Sequence, residues 1–129
     1  MSEVVLDASA LLALLRDEPG AAKVAEAIAA SRMSSVNYAE VVSHFIHAGM
    51  PAEQVDAMLK PLPVSIVEAD QALATIAGRL RAATAEAGLS LGDRFCLALA
   101  RRDGLPAMTA DKLWRTVADA VGVSVSVIR

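Results

Sequence analysis

Short unbroken apolar runs alternate along this chain with longer stretches whose apolar residues recur every three or four positions. Glu3 to Leu6 reads as a short buried strand, and Ala8 to Arg16 as a helix directly after it. Pro19-Gly20 breaks that helix, and Ala21 to Ala30 forms the next. Arg32 to Ser35 predicts a brief strand leading into a helix from Val36 to about His47. Gly49 and Pro51 precede a helix over roughly Ala52 to Lys60, and Val64 to Val67 has β-branched strand character. Asp70 to Ala87 predicts one long helix, with Leu73, Ile76, Ala77 and Leu80 at helical spacing, closed by Gly88. Ser90 opens another that runs to Asp103 and ends at Gly104. Pro106 to Thr109 follows as a strand, Asp111 to about Val117 as a helix, and Val123 to Ile128 as a final strand. In that strand Val123, Val125 and Val127 alternate with Ser124 and Ser126, as expected at a half-exposed sheet edge. Strands alternating with helices predict an α/β domain with a mainly parallel sheet. Ligands of such sheets bind beyond the carboxyl ends of the strands, near the switch in strand order. Asp7 and Asp111 fall at such ends.

Composition narrows the class. A chain of 129 residues is expected to form a single domain, residues 1–129, large enough to bury a real core. With 55% apolar and only 21% charged residues it is globular rather than disordered, and has apolar surface to spare for a dimer or protein partner. No apolar run approaches the roughly 18 residues of a membrane span. The N-terminus enters a strand within three residues, so no signal peptide is expected. The one cysteine, Cys96, excludes an intrachain disulfide and points to a reducing cytoplasm. Lying among Phe95, Leu97 and Leu99, it reads as a buried small apolar group. The net charge of −3 argues against a broad cationic surface for nucleic acid, while leaving room for a local basic rim of Arg94, Arg101, Arg102, Lys112 and Arg115. Arg101 and Arg102 read best as a solvated helix face. No G-x-G-x-x-G or G-K-[ST] loop is present to cradle a nucleotide cofactor. His44 and His47 lack the further ligands a zinc site needs.

Four acids carry the chemistry: Asp7 in VVLDAS, Glu40 in NYAEV, Asp93 in LSLGDRF and Asp111 in MTADKLW. Each has a structural explanation. Asp7 and Asp111 can cap the helices they precede, at about 1 kcal/mol each. Ser90 with Asp93 matches a capping box. Glu40 is harder to dismiss, one turn inside a helix with Asn37 at i−3 and His44 at i+4 on its face. Three acids at strand–helix junctions and one on an intervening helix can converge on a single cleft. Carboxylates that close repel, and a hard, oxygen-preferring cation such as Mg²⁺ or Mn²⁺ relieves the repulsion. Such an ion activates water and offsets charge on a phosphodiester.

These segments resemble the PIN-domain nucleases, specifically the toxin ribonucleases of VapBC-type toxin–antitoxin pairs. VVLDASALLALL is similar to that family's opening, Glu40 in SVNYAEVV to its helical acid, and LSLGDRFCLALARRDGLPAMTADKLW to its most recognisable stretch. The resemblance covers essentially the whole chain. It implies a three-layer α/β/α sandwich around a central, mainly parallel sheet of about five strands. It further implies Mg²⁺- or Mn²⁺-dependent endonucleolytic cleavage of RNA, leaving a 5′-phosphate and a 3′-hydroxyl, by a cytoplasmic homodimer inhibited by a cognate antitoxin. Asp7, Glu40, Asp93 and Asp111 match the family's metal-site acids, and Ser9 and Thr109 its small hydroxyl positions. Ser9, Asn37 and Thr109 form a supporting set that orients carboxylates. Arg94 and Lys112 are candidate contacts to flanking RNA phosphates, and Trp114 is read as core rather than as a base-stacking platform.

Two other classes compete. A phosphoacceptor module of receiver or phosphatase type also places an Asp after its first strand. Here, however, Lys60-Pro61 falls mid-chain rather than late, and Ser9 stands where a haloacid-type phosphatase has its second Asp. A catalytically silent PIN-like RNA-binding module has little reason to keep four unpaired acids.

Overall fold

The computed structural model describes residues 3–129. Five strands, β1 (Val4–Leu6), β2 (Ser31–Ser34), β3 (Val64–Val67), β4 (Ala107–Thr109) and β5 (Val125–Val127), form one sheet in the order β3-β2-β1-β4-β5. Every neighbouring pair is parallel. The helices are α1 (Ala8–Leu15), α2 (Ala21–Ala27), α3 (Ser35–His47), α4 (Ala52–Leu59), α5 (Gln71–Arg79), α6 (Arg81–Thr84), α7 (Leu91–Asp103) and α8 (Ala118–Val121). Single 3-10 turns span Ile28–Ala30 and Lys112–Thr116.

The unbroken VVL run is explained by burial on both faces of the sheet. Val4 and Leu6 join a core with Leu11, Val24, Val41, Phe45, Val55 and Leu59, drawn from α1 to α4. Val5 points the other way, into a core with Leu73, Phe95, Leu97, Leu99, Trp114 and Val121. The result is a three-layer α/β/α sandwich. From β1 the chain works outward to β3, then returns to the other side of β1 to lay down β4 and β5. The strand order therefore switches between β1 and β4, and the residues just past those two strands include Asp7 and Asp111.

The long helix expected over Asp70 to Ala87 is broken. Asp70 caps α5, accepting from the Leu73 amide at 2.9 Å, and α5 ends at Arg79. The chain bends at Leu80, whose carbonyl accepts from the Ala83 amide at 3.1 Å and the Thr84 hydroxyl at 2.9 Å. Leu73, Ala77, Leu80 and Thr84 are all buried across the break. Their spacing is the same whether or not the helix is continuous. The segment after Asp111 forms a 3-10 helix rather than the expected α-helix. β5 is an edge strand as its alternation predicts.

Gly20 links α1 to α2 with φ +97°, and a Cβ there would lie 2.7 Å from Ile128 Cγ1 and carbonyl oxygen. Backbone strain and overlap act together, so Gly20→Ala is expected to lose about 2 kcal/mol of stability. Chemical denaturation followed by circular dichroism would measure the loss.

Candidate metal centre

Asp7 leaves the end of β1 on the same side as Val5, facing α7. It is buried. Its Oδ2 accepts from the Ser9 hydroxyl at 2.7 Å and the Thr109 hydroxyl at 3.0 Å. Those hydroxyls in turn accept from the backbone amides of Ala110 (2.9 Å) and Asp111 (3.1 Å). The end of β1 is thus tied to the end of β4, and Asp7 is fixed in orientation. Ser9 and Thr109 take the supporting places expected of them, and Ser9 also makes the backbone bond its residue type favours.

Glu40 comes from α3. Its Oε1 accepts from Asn37 Nδ2 at 2.8 Å, and the same amide nitrogen donates to the Gly92 carbonyl at 2.9 Å. Asn37 therefore clamps α3 to the first turn of α7. Gly92 itself was not singled out from sequence. A Cβ on it would lie 2.3 Å from Glu40 Oε2 and 2.6 Å from Cδ, so the carboxylate occupies the room that the missing side chain leaves. The only sequence signal is an otherwise unfavourable Gly inside a helix, one residue before an acid.

Asp93, a candidate site residue, is also a cap. Its Oδ2 accepts from the Ser90 amide at 2.9 Å, and its own amide donates to Ser90 Oγ at 3.1 Å, completing the capping box. Asp111 Oδ1 accepts from the Leu113 amide at 2.9 Å, capping the 3-10 helix. The capping and site readings are compatible because a carboxylate has two oxygens. At all four acids one oxygen is engaged and the other makes no hydrogen bond among the described residues. None of the four takes part in an ion pair among the described residues.

The electrostatics carry the mark of this crowding. Burial is the main cause that pushes Asp7 from 3.8 up to about 6; Ser9 and Thr109 pull it down, while Asp93 and Glu40 add repulsion. Glu40 and Asp93 are also raised, first by desolvation. Asn37 offsets the shift at Glu40 and the Ser90 bonds offset it at Asp93, while Asp93 repels Glu40 and Asp111 repels Asp93. Below them Cys96 is buried, and burial together with Asp7, Asp93 and Glu40 pushes its thiol up, so it stays protonated. The four acids therefore sense one another electrostatically. Among the described residues no three His, Cys, Asp or Glu side chains form a ready-made cage for an ion.

Arg94 and Lys112 separate. Lys112 is exposed beside Asp111, whereas Arg94 is only 8% exposed, which overturns a surface placement. Arg94 Nε is buried without a partner, and its charge favours ionised Asp93. Trp114 is fully buried in the core. Trp114 Nε1 and Asn37 Oδ1 are also buried without a partner, the latter on the amide whose nitrogen donates to Glu40 and the Gly92 carbonyl.

No curated protein matches the chain in sequence. Solved structures do match its fold. A chain of the DNA-bound VapBC complex from Salmonella typhimurium superposes with a TM-score of 0.75 at 15% identity, covering 100% of both chains. One from VapBC2 of Rickettsia felis, bound to a fragment of its promoter, gives 0.73 at 15% identity and covers 98% of this chain and 99% of that one. One from VapBC-5 of Mycobacterium tuberculosis gives 0.62 at 22% identity, covering 100% and 99%. At such identities these likenesses establish the fold. The family model described as PIN domain matches residues 4–120, nearly the whole sequence, and the chain belongs to the PIN domain family.

Proposed function

We propose that this protein is a divalent-metal-dependent endoribonuclease that acts as the toxin of a type II toxin–antitoxin pair. The observation that supports the reading is the electrostatic coupling of Asp7 with Glu40 and Asp93, and of Asp93 with Asp111, each acid having one carboxylate oxygen uncommitted and no ion pair among the described residues. The solved complexes whose fold it shares are toxin–antitoxin assemblies, which supports a cognate antitoxin as partner. A homodimer in the cytoplasm belongs to the same reading.

The donor set fits Mg²⁺ or Mn²⁺. It is all oxygen, it is anionic, and it lacks the closed cage that a dehydrated ion demands. Mg²⁺ keeps several waters and takes only one or two protein carboxylates, and the orphaned Asn37 Oδ1 offers such water an acceptor. Asp7, Glu40, Asp93 and Asp111 would hold the ion, some of them through its waters. When bound, the ion supplies Lewis acidity toward water and toward the scissile phosphate. The chain's own residues do the positioning. Ser9 and Thr109 fix Asp7, Asn37 and Gly92 fix Glu40, and Ser90 fixes Asp93, so that little reorganisation remains when charge builds on the phosphate. With Asp7 pushed up to about 6, about half of it is protonated at pH 6 when no ion is present. Lys112 meets a flanking phosphate, and the buried Arg94 serves as countercharge to Asp93.

Purified protein incubated with total RNA and a tRNA panel, in Mg²⁺, in Mn²⁺ and in EDTA, tests the proposal. Discrete products that need the ion are expected. A folded, antitoxin-free protein that binds Mn²⁺ yet cuts no RNA would leave a silent binding module. Stable phosphorylation of Asp7 by a small phosphodonor would replace the reading with a phosphoacceptor domain.

A further inference from the structure

A second feature lies away from the acids. Between α5 and α7 is a hollow of about 290 Å³, lined by Ile76, Arg79, Arg101 and Arg102. Three of the chain's 12 basic residues meet there in a protein whose net charge is −3. Arg102 is engaged: its Nε donates to Asp103 Oδ1 at 2.9 Å. The other Asp103 oxygen accepts from Arg32 at 2.9 Å, and Arg32 also pairs with Glu3. Asp103 is thereby saturated by two guanidinia. Arg79 and Arg101 make no ion pair or side-chain hydrogen bond among the described residues. Each sits in the last turn of its helix, where a cation suits the helix dipole. The dipole explains each arginine singly. It does not explain why two unpaired cations from different helices line one hollow, an arrangement that repels until an anion enters.

We propose that this hollow takes a backbone phosphate of the RNA strand, at a distance from the cut, with Arg79 and Arg101 as its ligands. The inference rests on the nuclease reading and extends it. Arg101 lies eight residues beyond Asp93 on α7, an axial separation of about 12 Å. At the 3.4 Å rise of a stacked strand that is about four nucleotides. Guanidinium groups suit phosphate because their fork of donors matches its oxygens. The same fork also matches a carboxylate, so an acidic peptide is the alternative occupant that the test separates.

The test uses the full chain carrying Asp7→Asn, so that bound RNA stays intact. Binding of labelled RNA oligonucleotides of increasing length is followed by fluorescence anisotropy over a salt series. Adding Arg79→Ala and Arg101→Ala is expected to weaken a 16-mer roughly tenfold at low salt. The slope of log K against log salt should fall by about 0.7, the loss of one neutralised single-strand phosphate. Oligonucleotides of about three nucleotides should be unaffected, and Arg79→Lys with Arg101→Lys should keep most of the slope, since both charges remain. RNA binding that is intact and insensitive to the alanine pair overturns the inference and leaves the nuclease reading standing. Loss of a polyglutamate peptide of equal charge to the same degree as RNA overturns the phosphate assignment. If the parent protein binds no RNA at all, both readings fall.

Discussion

Asp7→Asn is expected to abolish cleavage and, in the absence of metal, to make the protein more stable. The loss of activity should be on the order of a thousandfold or more, because the best-oriented acid of the cluster no longer carries charge. The gain in stability follows from the raised proton affinity of Asp7, 3.8 in the unfolded chain and about 6 in the folded one. The folded state binds the proton more tightly, so wild-type stability falls as pH rises from about 4 to 6 and is flat above. Integrated, the shift is worth about 3 kcal/mol. Asn is neutral throughout, so its advantage is absent below pH 4 and complete above pH 6. Thermal melts in EDTA at pH 4 and pH 7.5 would show it. Mn²⁺ should reverse the ranking at pH 7.5 by stabilising only the wild type through mass action. A variant less stable than wild type in EDTA at pH 7.5 would contradict the account of Asp7 as a buried, electrostatically costly group.

Gly92→Ala is the second large effect, and it touches no titratable group. The new Cβ would fall 2.3 Å from Glu40 Oε2, and the carboxylate must leave its seat. Asn37 donates to both Glu40 and the Gly92 carbonyl, so the clamp between α3 and α7 loosens with it. A displacement of about 1 Å in a positioned group can cost roughly 100-fold in rate. Mn²⁺ affinity should fall by about 10- to 100-fold, as for lost supporting contacts at other metal sites. Glu40→Asp shortens the acid by one methylene and makes room for the Cβ. In the Gly92→Ala background it should recover part of the Mn²⁺ affinity, while in the wild-type background it should weaken it. Calorimetric titration of the four proteins closes the cycle, and additive effects would show that Gly92 and Glu40 do not act as a pair.

Much of this architecture was legible from local pattern. The VVL run announced a strand buried on both faces, and Ser90 with Asp93 announced a capping box that is present. Three of the acids stood out by their places at element junctions and Glu40 by its place inside a helix; Asp7, Glu40 and Asp93 lie within electrostatic reach of one another, and Asp111 of Asp93. What stayed hidden depends on tertiary contacts. The bend at Leu80 leaves the buried spacing of Leu73, Ala77, Leu80 and Thr84 undisturbed, so periodicity could not reveal it. Arg94 has the side chain of a surface residue, and only the packing around α7 makes it buried. The requirement for Gly at position 92 exists because α3 lays a carboxylate against it, from more than fifty residues away in sequence. Capping patterns could not decide whether Asp93 and Asp111 were structural or functional, because a cap engages only one of a carboxylate's two oxygens.

The strand order has a consequence for how the protein is made. β1 leaves the ribosome well before one of its two sheet neighbours, β4. Asp7 has no Thr109 hydroxyl to orient it until β4 has emerged. Truncated or stalled products ending before β4 lack Asp111 and the tie that fixes Asp7. Pairing over so long a sequence separation is also slow, since loop closure must precede the contacts that reward it. The orientation of Asp7 is thus delayed until β4 has been made and paired with β1.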